Sequence, residues 1–86
     1  MRIDKYLKVS RLLKRREVAK ELCLEGDILL NKKEAKPMSE VKAGDEILLR
    51  LGRHELLVRV EKVLEFASKE NAPTMYTLIY DNVVAQ

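Results

Sequence analysis

The first quarter of the chain carries two short stripes of apolar residues at helical spacing. The first stripe, within residues 3–9, consists of Ile3, Tyr6 and Leu7. The second, between about residues 15 and 25, consists of Val18, Ala19, Leu22 and Cys23. Gly26 follows the second stripe, where it can end a helix in the left-handed conformation. The pattern predicts two short helices, and because helices this short are unstable alone, they must pack on another part of the domain.

From residue 28 onwards the pattern changes to strand-like segments separated by turn residues. The predicted strands cover residues 28–30, 46–51, 55–66 and 75–80. Because side chains alternate along a strand, the last strand is expected to place three residues on one side: Tyr76, Leu78 and Tyr80. Turn residues occupy 31–34, 43–45 and 52–54, and the last of these predicts a hairpin. Residues 81–86 are predicted to form a frayed tail.

The order of these segments predicts a single domain of the α+β class. Two short N-terminal helices are expected to pack on a small, mostly antiparallel sheet of about four to five strands. At 86 residues the chain is too short for two independent cores. Its apolar runs are too short to span a membrane, and its basic N-terminus lacks the apolar segment of a signal peptide. We therefore expect a cytoplasmic protein.

Charge is distributed unevenly along the chain. The whole sequence has 17 Lys and Arg residues against 14 Asp and Glu residues, a net charge of only +3. Residues 1–20 hold eight of the basic side chains and two acidic ones, a net +6, and the rest of the chain has a net −3. A basic segment on an acidic remainder indicates a polyanionic partner. The eight basic residues are Arg2, Lys5, Lys8, Arg11, Lys14, Arg15, Arg16 and Lys20.

Phosphate groups explain this basic segment better than folding stability does. Like charges at helical spacing repel, whereas guanidinium groups match phosphate oxygens and release counterions on binding. We expect Arg11, Arg15 and Arg16 to grip phosphates around the helix–turn–helix, beside Lys14. The residues expected to extend this surface are Arg2, Lys5, Lys8 and Lys20. Two alternatives stay open: a solvated charged face, and acidic partners from the remainder of the chain, residues 21–86, for one or two of the cations.

The low aromatic content indicates which nucleic acid is bound. One Phe, three Tyr and no Trp cannot build the multi-residue stacking surfaces that read single strands. Recognition through the backbone and its shape suits structured RNA, and no DNA partner is expected. Tyr6 lies at core spacing, so we expect it to pack inside the domain.

Asp4 and Arg16 carry more specific expectations. Asp4 can orient neighbouring Arg or Lys side chains, accept a hydrogen bond from a ribose 2′-hydroxyl, or stabilise the positive end of its own helix. Arg16 lies outside the apolar stripe of the second helix. Its replacement is therefore expected to weaken RNA binding with little change in thermal stability.

Catalytic chemistry has little support in the sequence. Cys23 and His54 form the only available nucleophile–base pair, and we expect instead a buried cysteine and an exposed histidine at a hairpin tip. The sequence contains neither a glycine-rich phosphate loop nor a cluster of metal-ligand residues. We therefore predict a protein that is not an enzyme and uses no metal or cofactor.

A series of motifs resembles the S4 RNA-binding domain over about residues 2–50. The matching segments are Arg2–Leu7, Arg11, Arg15–Ala19, Gly26–Ile28, Asn31 and Val41–Ile47. The resemblance implies a single S4-type domain over residues 1–80, with the RNA surface on the helical pair and C-terminal strands within 55–80. At Glu17 the family usually has a Ser or Thr that caps the second helix, so a weaker cap is expected there. At Lys32 it usually has glycine after Asn31, so we expect a longer or differently shaped loop.

Within that family, the chain looks most like the small S4 proteins of bacterial ribosome-associated quality control. This resemblance rests on the chain length and on residues 8–12, 14–16 and 75–77. It implies binding to large-subunit rRNA and P-site tRNA on a large ribosomal subunit blocked by peptidyl-tRNA, while a tailing factor recruits alanyl-tRNA for C-terminal tailing. Two alternatives are a heat-shock-type S4 protein of large-subunit recycling, which carries a longer basic C-terminal extension, and a protein-interaction module that docks an acidic partner.

Overall fold

The computed structural model describes residues 1–84, which fold as two helices and a five-stranded sheet. The α+β class and the S4-like arrangement are thereby confirmed. The helices are α1 (Ile3–Val9) and α2 (Arg16–Leu24), and a 3₁₀ turn covers Ala72–Met75. The strands are β1 (Ile28–Leu30), β2 (Lys33–Glu34), β3 (Glu46–Leu51), β4 (His54–Val60) and β5 (Tyr76–Val83).

Helix α2 begins two residues earlier than a cap at Glu17 requires. Arg15 is its N-cap and has an extended backbone, and no side chain caps the helix, so Glu17 lies inside the first turn. The end of the helix follows the prediction. Gly26 has a φ of 79°, and its N–H donates to the carbonyl of Cys23 at 3.1 Å. This left-handed glycine closes the helix and directs the chain into β1.

All neighbouring strands are antiparallel, in the order β2-β1-β3-β4-β5. Leu51 pairs with His54, so the predicted hairpin has a two-residue turn, Gly52-Arg53, and His54 is the first residue of β4. Gly52 has a φ of 61°, a conformation that suits such a turn and costs glycine little.

The turn between β1 and β2 corrects the expectation for Lys32. Leu30 pairs with Lys33, so the loop has only two residues, and it is neither longer nor of another shape. Asn31 and Lys32 have φ values of 51° and 72°, as a type I′ turn requires at both central positions. Lys32 thus adopts the backbone that glycine usually supplies, and β2 begins immediately after it.

Strand β4 ends at Val60, so the prediction of one strand over residues 55–66 was wrong. Strand β3 offers no further partner, because Glu46, its first residue, pairs with Arg59. The N–H groups of Glu61 and Lys62 donate instead to the carbonyl of Met75. Residues 61–67 therefore leave the sheet and form a separate segment beside α1.

Strand β5 extends through Val83, so the predicted tail of residues 81–86 begins too early. Residues 81–83 pair with β4, for example Val83 with His54, and this pairing supplies their backbone hydrogen bonds. The register of β5 shifts between its pairs with Leu57 and Val58. Tyr80 therefore lies on the other face of the sheet from Leu78, and the two do not share a side as predicted. Ala85 and Gln86, the rest of the predicted tail, lie outside the described residues.

The core lies between the helices and one face of the sheet. The first predicted stripe is fully buried, as are the two valines of β4 that face it, and the core includes Ile3, Tyr6, Leu7, Val58 and Val60. The Tyr6 hydroxyl donates to the carbonyl of Met75 at 2.7 Å, which confirms Tyr6 as a packing residue. In the second stripe Ala19 and Cys23 are buried, but Val18 is 40% exposed and is not part of the core.

Candidate nucleic-acid interface

The basic residues of positions 1–20 lie on α1, on the turn after it and on the first half of α2. The turn is fixed to the end of α1: Arg11 has a φ of 65°, its N–H donates to the Lys8 carbonyl, and the Leu13 N–H donates to the Leu7 carbonyl at 3.0 Å. Leu13 is buried in the core and anchors the turn. The two helices therefore hold their cations in a defined arrangement.

Asp4 joins the two helices through an ion-pair cluster, which we call the Asp4 clamp (Asp4, Arg2 and Arg16). Its Oδ2 lies 3.1 Å from Arg2 Nη2, and its Oδ1 lies 3.2 Å from Arg16 Nη2. The Lys5 N–H donates to Oδ1 at 2.7 Å. The Asp4 side chain has no exposed surface, whereas those of Arg2 and Arg16 are 43% and 37% exposed.

The electrostatics of the clamp keep Asp4 ionised. Burial raises the pKa of a carboxyl, but here the hydrogen bonds from Arg16 and from the Lys5 N–H, and the charges of Arg16 and Arg2, outweigh burial and lower the pKa of Asp4. A side chain without exposed surface cannot reach a ribose hydroxyl. Asp4 therefore orients its arginine neighbours, and it also neutralises its own helix N-terminus.

Arg16 has a structural contact that its sequence position did not indicate. It lies outside the apolar stripe, yet it bonds the buried carboxylate, and its Nε is buried with no hydrogen-bond partner. This contact gives a physical reason to expect that Arg16 contributes to stability, contrary to the expectation from the sequence. Each arginine of the clamp uses one nitrogen on Asp4, which leaves further N–H donors of the guanidinium fork for another anion.

Lys5 is the third cation with an acidic partner. Its Nζ donates to Glu65 Oε2, and Glu65 belongs to the segment that leaves the sheet after β4. The interaction lowers the pKa of Glu65 through the hydrogen bond and the charge of Lys5. The alternative of a partner from the acidic remainder thus holds for Lys5, whereas Arg2 and Arg16 pair with Asp4 of the basic segment itself.

The remaining five cations of the region form no ion pair within residues 1–84. All five are exposed. They are Lys8, Arg11, Lys14, Arg15 and Lys20, and we call them the free basic set. Because no carboxylate offsets them, this surface repels itself in the folded protein and is suited to an anionic partner.

An open groove of about 440 Å³ separates the turn after α1 from the segment after β4. Lys8, Arg11 and Lys14 line it from one direction, and Glu65 and Phe66 line it from the other. The sequence did not identify Phe66 as a surface group, because it lay at the end of a predicted strand. The length of that strand, twelve residues, well above the usual five to six or so, was the available signal.

The possible nucleophile and base have separate environments. Cys23 is buried, and burial, with a contribution from the Asp4 charge, raises the pKa of its thiol to about 11. His54 is exposed and its Nδ1 lies 3.2 Å from Asp81 Oδ1. Within residues 1–84 no group of three or more candidate metal ligands occurs, and no helix is long and apolar enough to cross a membrane.

Comparison with known proteins identifies the family. The S4-domain profile matches residues 1–47. The RQC P-site tRNA stabilizing factor of Listeria monocytogenes is 52% identical over 79 residues, 92% of this chain and 86% of that protein. The protein of the same name from Bacillus subtilis is 43% identical over the full length of both chains.

A solved structure gives the same fold. Heat shock protein 15 of Vibrio cholerae, described as trimeric, superposes with a TM-score of 0.84 at 30% sequence identity, over 91% of this chain and 80% of that one. The matched profile covers α1, α2 and the first strands, the part of the fold that holds the Asp4 clamp and the free basic set. The chain is therefore a member of the S4-domain family, in the group whose curated members are named RQC P-site tRNA stabilizing factors.

Proposed function

We propose that this protein is a non-enzymatic RNA-binding factor that binds structured RNA through α1, α2 and the turn between them. The observation that carries the proposal is the free basic set: five exposed cations on two adjacent helices, none with an acidic partner within residues 1–84. Phosphates supply the missing negative charge, and counterion release supplies much of the affinity.

The Asp4 clamp has a different part in this binding. By holding Arg2 and Arg16 on one buried carboxylate, it fixes both guanidinium groups before RNA arrives, so less side-chain entropy is lost on binding. Lys5, paired with Glu65, extends the same surface. In this arrangement Arg11, Arg15 and Arg16 contact rRNA phosphates around the turn.

The RNA we propose is that of the large ribosomal subunit, together with P-site tRNA. The names of the Listeria and Bacillus relatives support this step, because both are P-site tRNA stabilizing factors. In the proposed setting a large subunit is obstructed by peptidyl-tRNA, and the protein steadies that tRNA while a separate tailing factor supports addition of C-terminal alanine.

A salt titration tests the binding mode. If the five cations of the free basic set each neutralise one phosphate, log K against log salt has a slope of roughly −4. Filter binding to large subunits carrying peptidyl-tRNA measures it. Replacing Lys8, Arg11 and Lys14 with Gln is expected to bring the slope to roughly −2. The matched control replaces three exposed cations of the sheet half, Lys33, Lys36 and Arg53, with the same net change in charge. A slope near zero for the unmodified protein, or equal slopes for the two triple variants, would falsify the proposal.

Cellular measurements distinguish the proposed function from two other functions. Large-subunit recycling, the heat-shock-type alternative of the sequence analysis, remains a second candidate, and the chain shares its fold with heat shock protein 15. Deleting the protein abolishes C-terminal alanine tails on stalled chains if the first proposal is right, and leaves them intact if recycling is its role. If the basic surface docks an acidic protein instead, capture of its partner from cells persists after nuclease treatment, whereas an RNA partner is lost.

A further inference from the structure

Phe66 is exposed to an unusual degree for its type. It is the only phenylalanine of the chain, and its side chain is 89% exposed. Burying such a side chain typically stabilises a fold by about 1.5–3 kcal/mol, and the domain forgoes that gain here. An isolated exposed apolar residue is ordinary on a protein surface, so exposure alone assigns no role to Phe66. Its position does.

The segment that carries Phe66 is fixed on both sides of it. Leu64 and Ala67 pack against the core, and Glu65 pairs with Lys5 on α1. The anchored neighbours hold the aromatic ring outside the fold at a set place along α1. This is how a protein presents a ring to a partner, because a ring on an anchored segment loses little freedom on binding.

The place in question is the basic groove. Phe66 shares its lining with Lys8, Arg11 and Lys14, all members of the free basic set. The one carboxylate in the lining, Glu65, is already paired with Lys5, so the groove is cationic overall. An aromatic face beside several phosphate-binding cations matches the two parts of a nucleotide: a flat base and a charged backbone.

We propose that Phe66 is a stacking platform for one unpaired RNA base, whose flanking phosphates are bound across the groove by Lys8, Arg11 and Lys14. This inference rests on the proposed function and adds a residue to it. It also adds a preference: the RNA site includes an unstacked base, in a loop, a bulge or a strand end, next to the paired region that the helices contact. A single ring serves one base and does not make the multi-base surface that the low aromatic content excludes.

Two variants of Phe66 distinguish stacking from simple apolar contact. Phe66→Ala is expected to weaken binding to large subunits carrying peptidyl-tRNA by roughly tenfold, within the range of base–aromatic stacking. Phe66→Leu keeps apolar bulk without a π face and is expected to weaken it nearly as much. The slope of log K against log salt stays unchanged in both, because no phosphate contact is lost. Met38→Ala is the matched control, since Met38 is 66% exposed and lies outside both helices and outside the groove lining.

A fluorescence measurement identifies the kind of partner. The chain has no tryptophan, so Phe66→Trp introduces a single reporter at this site. Stacking on a base quenches its emission when the same subunits are added. Brighter, blue-shifted emission, which marks insertion into a protein pocket, overturns the inference.

The remaining outcomes separate this inference from the proposed function. The stacking role is overturned if Phe66→Ala binds with unchanged affinity or if Phe66→Leu keeps full affinity. The proposed function still stands in that case, provided that the unmodified protein binds in a salt-dependent way. If the unmodified protein does not bind the subunits at all, both fall.

Discussion

Replacing Arg16 with alanine is expected to destabilise the fold as well as weaken RNA binding. The change removes one of two guanidinium groups from Asp4, whose side chain has no exposed surface, and leaves Arg2 and the Lys5 N–H as its partners. Breaking a fully buried ion pair costs about 3–5 kcal/mol. Arg16 is 37% exposed, so solvent already screens its charge, and we expect a loss of about 1–2 kcal/mol in the free energy of unfolding.

A loss of that size is easily measured in a domain of this length. It corresponds to a fall in the melting temperature of roughly 5–15 °C, followed by circular dichroism, and urea titration gives the free energy directly. Arg15→Ala is the matched control, because Arg15 is the neighbouring cation, is exposed and makes no ion pair within the described residues. Its effect on stability is expected to stay within about 0.5 kcal/mol.

A double-mutant cycle tests the assigned partner. If Arg16 acts through Asp4, the losses from Asp4→Asn and Arg16→Ala add to more than the loss in the double variant, by about 1 kcal/mol. Equal stability of Arg16→Ala and Arg15→Ala, or simple additivity in the cycle, refutes the clamp. RNA affinity must be compared per folded molecule, since otherwise the instability of Arg16→Ala imitates a loss of binding.

Two further predictions concern the stability of the fold at acid pH and the turn before β2. The pKa of Asp4 in the folded protein lies below its ordinary value of 3.8, so its stabilising contribution is complete above that value and is lost as the pH falls through the lowered one. Urea titrations at descending pH should therefore show a shallower loss for Asp4→Asn than for the unmodified protein, and parallel curves would contradict the assignment. Lys32→Gly should stabilise the fold by about 0.5–1 kcal/mol, because a lysine at positive φ is strained, whereas Lys33→Gly in β2 should destabilise it. Thermal melts in which both variants move the same way would count against the type I′ turn.

The sequence predicted the elements whose signals are local. Both helices, β1, β3 and the hairpin at Gly52 were read from periodicity and turn residues, and the structure has them within one or two residues. The predictions that failed concern features that depend on contacts with distant parts of the chain. Strand β4 stops at Val60 because β3 has no further residue to pair with, and the register of β5 shifts opposite Leu57/Val58. No pattern within either segment carries that information.

The candidate site shows the same division. Charge counting located the basic surface, but a count cannot tell which cations are already paired. The contact of Arg16 with Asp4 joins residues twelve positions apart, and that of Lys5 with Glu65 joins residues 60 apart. Both pairs depend on how α1 meets another element. For this reason the sequence left open an internal acidic partner for one or two of the cations. The structure pairs Lys5 with Glu65 of the acidic remainder, and it pairs Arg2 and Arg16 with Asp4 of the basic segment.

The pairing pattern explains how so small a domain keeps a strongly basic surface. Within residues 1–20 the cations exceed the acidic groups by six, and the mutual repulsion of these cations opposes folding. Asp4 neutralises Arg2 and Arg16 where α1 meets α2, and Glu65 neutralises Lys5 from the segment after β4. The free basic set is exposed and forms no ion pair within residues 1–84. The residues that bind and the residues that stabilise are thus neighbours with different tasks. A variant of the free basic set should change affinity alone, and a variant of the clamp should change both affinity and stability.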